Sequence, residues 1–380
     1  MNWLTVGKSN EARRWISQLG DVSKRDRAAQ ELIRLGAEAA TALIEALQTQ
    51  DLGLLPVYQH ILARIPAASP ALIRALAISH PLVRGRVADV FSISKDGNAV
   101  PALLEALSGE YYTVRARAAL ALGQIGDKSA IPPLIRALKD HEDEVRMAAC
   151  TAVGLFKDPS TFDDLANILL DDPKIEVRQA AVKALGDSRD SAAISFLLEA
   201  LRDSFWWFER EQSVHDLLAA LENMGTAIVK PLIESLSDRE GTVRKFSAIV
   251  LGNLRDVRAV EELGMTLYDL HHEVSRCAAE ALGKIGQPGF DILREALHHP
   301  EVGVREHAVL GLGMLNDERI VPLLAEMLND PDKIVKKQAV LSLGNFKVDR
   351  SRQALEELAV NRVDRELSSL AKQVLVNFDQ

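Results

Sequence analysis

Imidazole and carboxylate side chains, the donors that divalent transition metals take from proteins, gather twice in the second half of this 380-residue chain. His271-His272-Glu273 is one group and His298-His299-Pro300-Glu301 the other, with Glu306 and His307 a few residues on. On one edge of a fold these residues would surround an ion. Their spacing matches no established ligand set, however, and polar residues in turns are ordinarily there for solvent, so no metal and no cofactor is expected. Cys150 and Cys277 have neither disulfide nor zinc spacing and sit in apolar stretches, where a free thiol acts as a small hydrophobe. Gly-rich phosphate loops and serine nucleophile motifs are missing; Gly123 with Gly126, and Gly283 with Gly286, read as helix ends.

A second group suits recognition rather than reaction. Asp203-Ser-Phe205-Trp206-Trp207-Phe208-Glu-Arg210 holds two of the four tryptophans. Trp and Arg are the side chains that anchor interfaces, so Phe205, Trp206, Trp207, Phe208 and Arg210 form a candidate partner-binding edge. The opposing reading is that the aromatics fill space opened by a local insertion.

What positions these residues is a repeat. The stretch Val114-Arg-Ala-Arg-Ala-Ala-Leu-Ala-Leu-Gly-Gln-Ile-Gly126 recurs with equivalents of Val114 at Lys24, Leu54, Val83, Val145, Val177, Phe208, Val243, Val274, Val304, Val335 and Leu367. Successive markers are 29 to 35 residues apart, the widest gap following Phe208. Counting the marker as zero, positions 0, +4, +8 and +11 are apolar (Val145, Ala149, Val153, Phe156), one face of a helix at 3.6 residues per turn. Small residues at +3, +5 and +7 let neighbouring helices approach. A preceding helix opens near proline, as in Val100-Pro-Ala-Leu-Leu-Glu-Ala-Leu107, and Asp-rich turns such as Asn329-Asp-Pro-Asp332 separate the two.

The period predicts an all-α fold, a right-handed α-solenoid of about twelve helical hairpins in one domain spanning 1–380. Residues 1–66 are expected to be divergent N-terminal capping repeats, 67–350 regular repeats with an insertion near 203–225, and 351–380 the C-terminal cap. Positions +2, +6, +9 and +10 of the second helices point away from the core and would line the inner face. Leu120, Met147 and Leu155 would form one apolar patch there, and Leu310, Met314 and Leu341 another. Exposed apolar patches mark partner sites; tight curvature would instead bury them between neighbours.

The net charge of −9 and the absence of a basic run argue against nucleic acid. Neither a signal peptide nor an apolar stretch of about 18 residues is present, so a cytoplasmic protein without membrane contact, and monomeric, is expected.

At these residues the chain resembles the HEAT-repeat superfamily, in particular the short-repeat kind associated with bilin lyases, from about residue 9 to 380. The resemblance implies a polar ladder of Asp and Arg six residues apart, each Asp capping the following helix and each Arg bonding carboxylates of two neighbouring repeats, as in Asp140 with Arg146, Asp172 with Arg178 and Asp238 with Arg244, with Lys in Asp330 and Lys336. The pattern fails at Gly109 with Arg115, Asp269 with Ser275 and His299 with Arg305. The resemblance extends to enzymes of the same superfamily. Deoxyhypusine hydroxylases of this superfamily hold two irons through His-Glu pairs at +2 and +3, where this chain has Arg276-Cys277, Glu306-His307 and Lys337-Gln338. HEAT-like DNA glycosylases need a basic inner face, which the chain lacks. The expected function is a non-enzymatic scaffold or adaptor binding a protein or peptide on the concave face; the alternative is a bilin-lyase-type enzyme or pigment chaperone.

Overall fold

The computed structural model describes residues 3–203, 211–315, 317–360 and 363–378, with side chains from Asn10 onward and, after the aromatic turn, from Val214. Phe205, Trp206, Trp207, Phe208 and Arg210 lie outside the described residues. The described residues are all-α, with 24 α-helices, short 3-10 turns between them and no strand. It divides into two compact units, 1–193 and 194–380.

Within the first unit, the short helices Val100–Leu107, Ile131–Ala137 and Phe162–Asp171 pair with the longer Tyr112–Ile125, Asp143–Phe156 and Ile175–Ser188. The longer helices also stack on one another in chain order. The second unit repeats this with Gly241–Leu254, His272–Ile285, Val302–Gly313 and Lys333–Leu343 as the stacked layer.

Proline falls in the first helical turn, where no N–H is needed, at Pro101 and Pro322. A single 3-10 turn leads into each of these short helices, and an Asp thirteen residues after the marker caps it: the carboxylates of Asp127 and Asp158 accept from the Ser129 and Ser160 amides. The apolar face is buried as its phase requires at positions 0, +4 and +8, with Val145, Ala149 and Val153 fully enclosed. Each such Val or Leu contributes about 1.5–3 kcal/mol relative to exposure. Position +11 is less regular: Phe346 is buried, but Ile125 and Phe156 are only half-buried.

Position +9, read as inward-lining, is the place where helices touch. A Cβ on Gly123 would lie 2.6 Å from the Ala152 Cα, and one on Gly252 2.7 Å from the Ala281 Cα. The partner is the small +7 residue of the next repeat in both cases. Gly123 and Gly283 therefore do not end helices as their spacing suggests. Gly126 does, at φ 78°, and so does Gly286, at φ 96°.

Candidate functional site

The polar ladder is present, with a different connectivity from the six-residue spacing. Arg146 gives Nε and Nη2 to both carboxylate oxygens of Asp172 in the following repeat, at 2.7 and 3.1 Å. Its Nη1 donates to the main-chain carbonyls of Asp140 and His141 in its own turn. The residue six positions back thus supplies a carbonyl, not a carboxylate, and any residue can do that. Arg115 and Arg305, whose repeats have Gly109 and His299 there, make the same forked pairs with Asp140 and Asp330. Arg244 pairs likewise with Asp269. Where the sequence places Glu209 after the marker, Asp238 is reached by Arg202 from the preceding helix end.

Each ladder carboxylate also accepts a backbone N–H two residues on, as Asp330 does from Asp332. Burial opposes ionisation of Asp330, but the Arg305 guanidinium and that amide outweigh it and hold the carboxyl below the ordinary aspartate range. Asp140 and Asp269 are lowered against their burial in the same way. These pairs hold repeats together and are too occupied to bind a ligand.

The ladder changes character at Ser275, the position that carries Arg in most repeats. Ser275 Oγ donates to the Leu267 carbonyl at 2.5 Å and lies 2.8 Å from His307 Nδ1. A hydroxyl has one proton, so Nδ1–H of His307 must be the donor to Ser275. His307 Nε2 then carries a lone pair and faces His272 Nε2 at 3.1 Å, the two rings meeting edge to face. Glu306 Oε2 lies 3.7 Å from His272 Nε2. His307 is buried at 2% exposure, and burial first, then His272, pushes its pKa down to about 4, so the ring is neutral at pH 7.

Of the histidine and carboxylate residues flagged in the sequence, only His272, Glu306 and His307 come together. His271 sits against Asp269, His299 lies tilted against Tyr268 with ring centroids 5.2 Å apart, and Glu273 pairs with Lys245. The signal that singles out the convergent three is Ser275, a gap in the arginine series. Both cysteines are buried, which pushes the Cys150 thiol up to about 12 and raises Cys277, so neither is a nucleophile.

Each of the two units, taken by itself, leaves apolar side chains exposed on its long helices. Met147 and Leu155 are exposed at 39% and 44%, and Met314 and Leu341 at 37% and 47%, while Leu120 and Leu310 are half-buried. Leu155 lines an open cavity of about 360 Å³ with Thr151, Lys157, Lys183, Asp187 and Arg189. Three cations against one carboxylate give it a positive rim.

A profile of HEAT repeats matches residues 100–175, 155–217, 229–303 and 290–376, well over half of the chain. Deoxyhypusine hydroxylase-B of Oryza sativa subsp. japonica is 32% identical over 129 residues, 32% of this chain and 42% of the rice protein. Among solved structures, Kap121p bound to Pho4p superposes with a TM-score of 0.59 at 14% identity, over 96% of this chain and 49% of Kap121p. Kap95p, in a structure with RanGDP, gives 0.54 at 12% identity over 97% of this chain and 59% of its own. The chain thus spans less than half the length of the rice relative and about half that of Kap121p. The stacked hairpins, the glycine contacts between them and the forked Arg–Asp rungs carry the same conclusion as the profile: the chain belongs to the HEAT-repeat family.

Proposed function

We propose that this protein is a non-enzymatic binding module, cytoplasmic and monomeric, that holds a protein or peptide on the exposed arc of its second helices. The observation that carries the reading is the exposure of Met147 and Leu155 beside a cavity rimmed by Lys157, Lys183 and Arg189. Apolar side chains left open at the ends of well-packed helices gain by burial against a partner, and the cationic rim favours a partner with carboxylates next to its apolar anchor. The structural neighbours support the class of partner: one is bound to Pho4p and another binds RanGDP.

The partial match to a hydroxylase raises an enzymatic reading, and the donors do not fit it. Two irons held by His-Glu pairs need such pairs on several second helices, whereas Arg276-Cys277 and Lys337-Gln338 offer none. Glu306-His307 supplies one pair in reversed order. The bilin-lyase alternative has no particular residue in its favour: Leu155 is the one large apolar side chain lining the cavity, where a tetrapyrrole needs a broad apolar wall.

The test is native mass spectrometry of the protein purified gently from its host, wild type beside a Met147→Ser, Leu155→Ser variant. A polypeptide retained by the wild type and lost from the variant supports the reading. Equal retention, or a bound small molecule of tetrapyrrole mass in place of a polypeptide, overturns it.

A further inference from the structure

We propose that His272, Glu306 and His307 form a binding site for one divalent transition-metal ion, of the borderline class to which Zn²⁺ and Co²⁺ belong, joining the helices His272–Ile285 and Val302–Gly313. The donor atoms of the three residues all lie within 4.8 Å of one another. Two imidazole nitrogens on one ion, at bond lengths of ~2.0–2.2 Å and angles between octahedral and tetrahedral, sit roughly 2.8–3.6 Å apart. The observed Nε2 to Nε2 separation is 3.1 Å.

The orientation of His307 is fixed before any ion arrives. Its Nδ1–H is committed to Ser275, and the Ser275 hydroxyl to the Leu267 carbonyl, so Nε2 is presented as a lone pair. A hydrogen bond to the non-ligating ring nitrogen is how metal-binding histidines are held in the correct tautomer. The series of arginines is interrupted at this repeat, where a guanidinium would occupy the place of the hydroxyl that orients His307.

Electrostatics permit a cation. Arg276, whose charge is felt by His307, is engaged by Glu280 at 2.6 Å and Glu273 at 3.5 Å, and Lys245 by Glu273 at 3.2 Å. With Glu306, three carboxylates face two cations and leave one negative charge beside His272 and His307. Imidazole donors select transition metals over Mg²⁺ and Ca²⁺. His272 is exposed, which leaves the remaining coordination positions open to water.

The rival account is a plain hydrogen bond in which His272 Nε2–H donates to His307. The experiment is titration of the chelator-treated full chain with Co²⁺, followed by visible absorption, and with Zn²⁺ by calorimetry, in wild type, His272→Ala and Glu306→Gln. His272 and Glu306 are outside the core, so both variants keep the fold. The proposal expects saturation at one ion per chain and a loss of affinity of about 10–100-fold in each variant. Absence of saturable binding overturns it. Binding that His272→Ala leaves unchanged, or Co²⁺ perturbation of the His298 ring signals rather than those of His272 and His307, overturns it equally.

Discussion

Arg305 binds Asp330 through both carboxylate oxygens, at 2.8 and 3.0 Å, while the carbonyls of His299 and Pro300 hold its remaining nitrogen. Both side chains are almost wholly enclosed. Removing Asp330 leaves the buried Arg305 charge with main-chain carbonyls in place of its carboxylate. Asp330→Ala is expected to lower stability by about 3 kcal/mol, the scale of a broken buried pair, in urea denaturation followed by circular dichroism. A loss below ~1 kcal/mol, the scale of a surface pair, would refute the structural role of the rung.

The same carboxylates set the response to acid. Asp140, Asp269 and Asp330 have folded pKa values below the ordinary one, so the unfolded chain takes up protons at a pH where the folded chain still refuses them. Their contribution is complete above the unfolded aspartate value of about 3.9 and disappears as pH falls through the folded values. Stability measured from pH 5 downward should fall, and Asp330→Asn should make the fall shallower. A wild type that gains stability on acidification contradicts this.

Glycines in the helices divide by what faces them. At Gly252 an added methyl meets the Ala281 Cα at 2.7 Å, backbone that cannot step aside. Gly252→Ala should cost about 1–3 kcal/mol despite the better helix propensity of alanine. Gly303, near a helix start with nothing within 4 Å, is the control. Gly303→Ala should gain about 0.4–1 kcal/mol. Similar melting shifts in the two variants would sink the close-approach argument.

Four repeats end their second helix with a left-handed Lys or Arg instead of glycine: Lys95, Lys157, Arg189 and Arg255, at φ between 50° and 55°. The conformation costs a side-chain-bearing residue about 1–2 kcal/mol, and glycine returns part of that as unfolded-state entropy. Lys95→Gly should therefore stabilise by about 0.5–1 kcal/mol. Gly126→Ala, the opposite change at φ 78°, should destabilise. Thermal melts of the pair decide the matter by sign.

Met147 and Leu155 are not core residues, so replacing both by Ser should leave the melting temperature within the ±0.5 kcal/mol band of ordinary surface changes while reducing partner retention. A large drop in melting temperature would show instead that they are packing residues.

The repeat, its helical phase and its proline entries were legible because the same environment recurs along the chain and imposes the same residue types each time. Two relations were not. The six-residue spacing of Asp140 and Arg146 suggests an arginine shared between the carboxylates of two neighbouring repeats, but Arg146 takes only the Asp172 carboxylate and, from its own repeat, the main-chain carbonyls of Asp140 and His141. Position +9 lies on the outward arc of a helical wheel, but a residue without a Cβ lets the next helix occupy that arc, as Ala152 does over Gly123. Histidine clustering was visible only as a crowd; the contact of His272 with His307 depends on Ser275, which reads in sequence as a mere lapse of the pattern. The aromatic stretch from Phe205 to Phe208 lies outside the described residues.

Each side of a rung keeps partners of its own when the other is taken away. Arg146 retains the carbonyls of Asp140 and His141, and Asp172 retains the Lys174 amide. Cutting the array between two repeats therefore leaves half-satisfied ends rather than bare charges, and a copied repeat slots in with both couplings already built. A chain joined this way can change length by duplication or deletion without redesigning its neighbours.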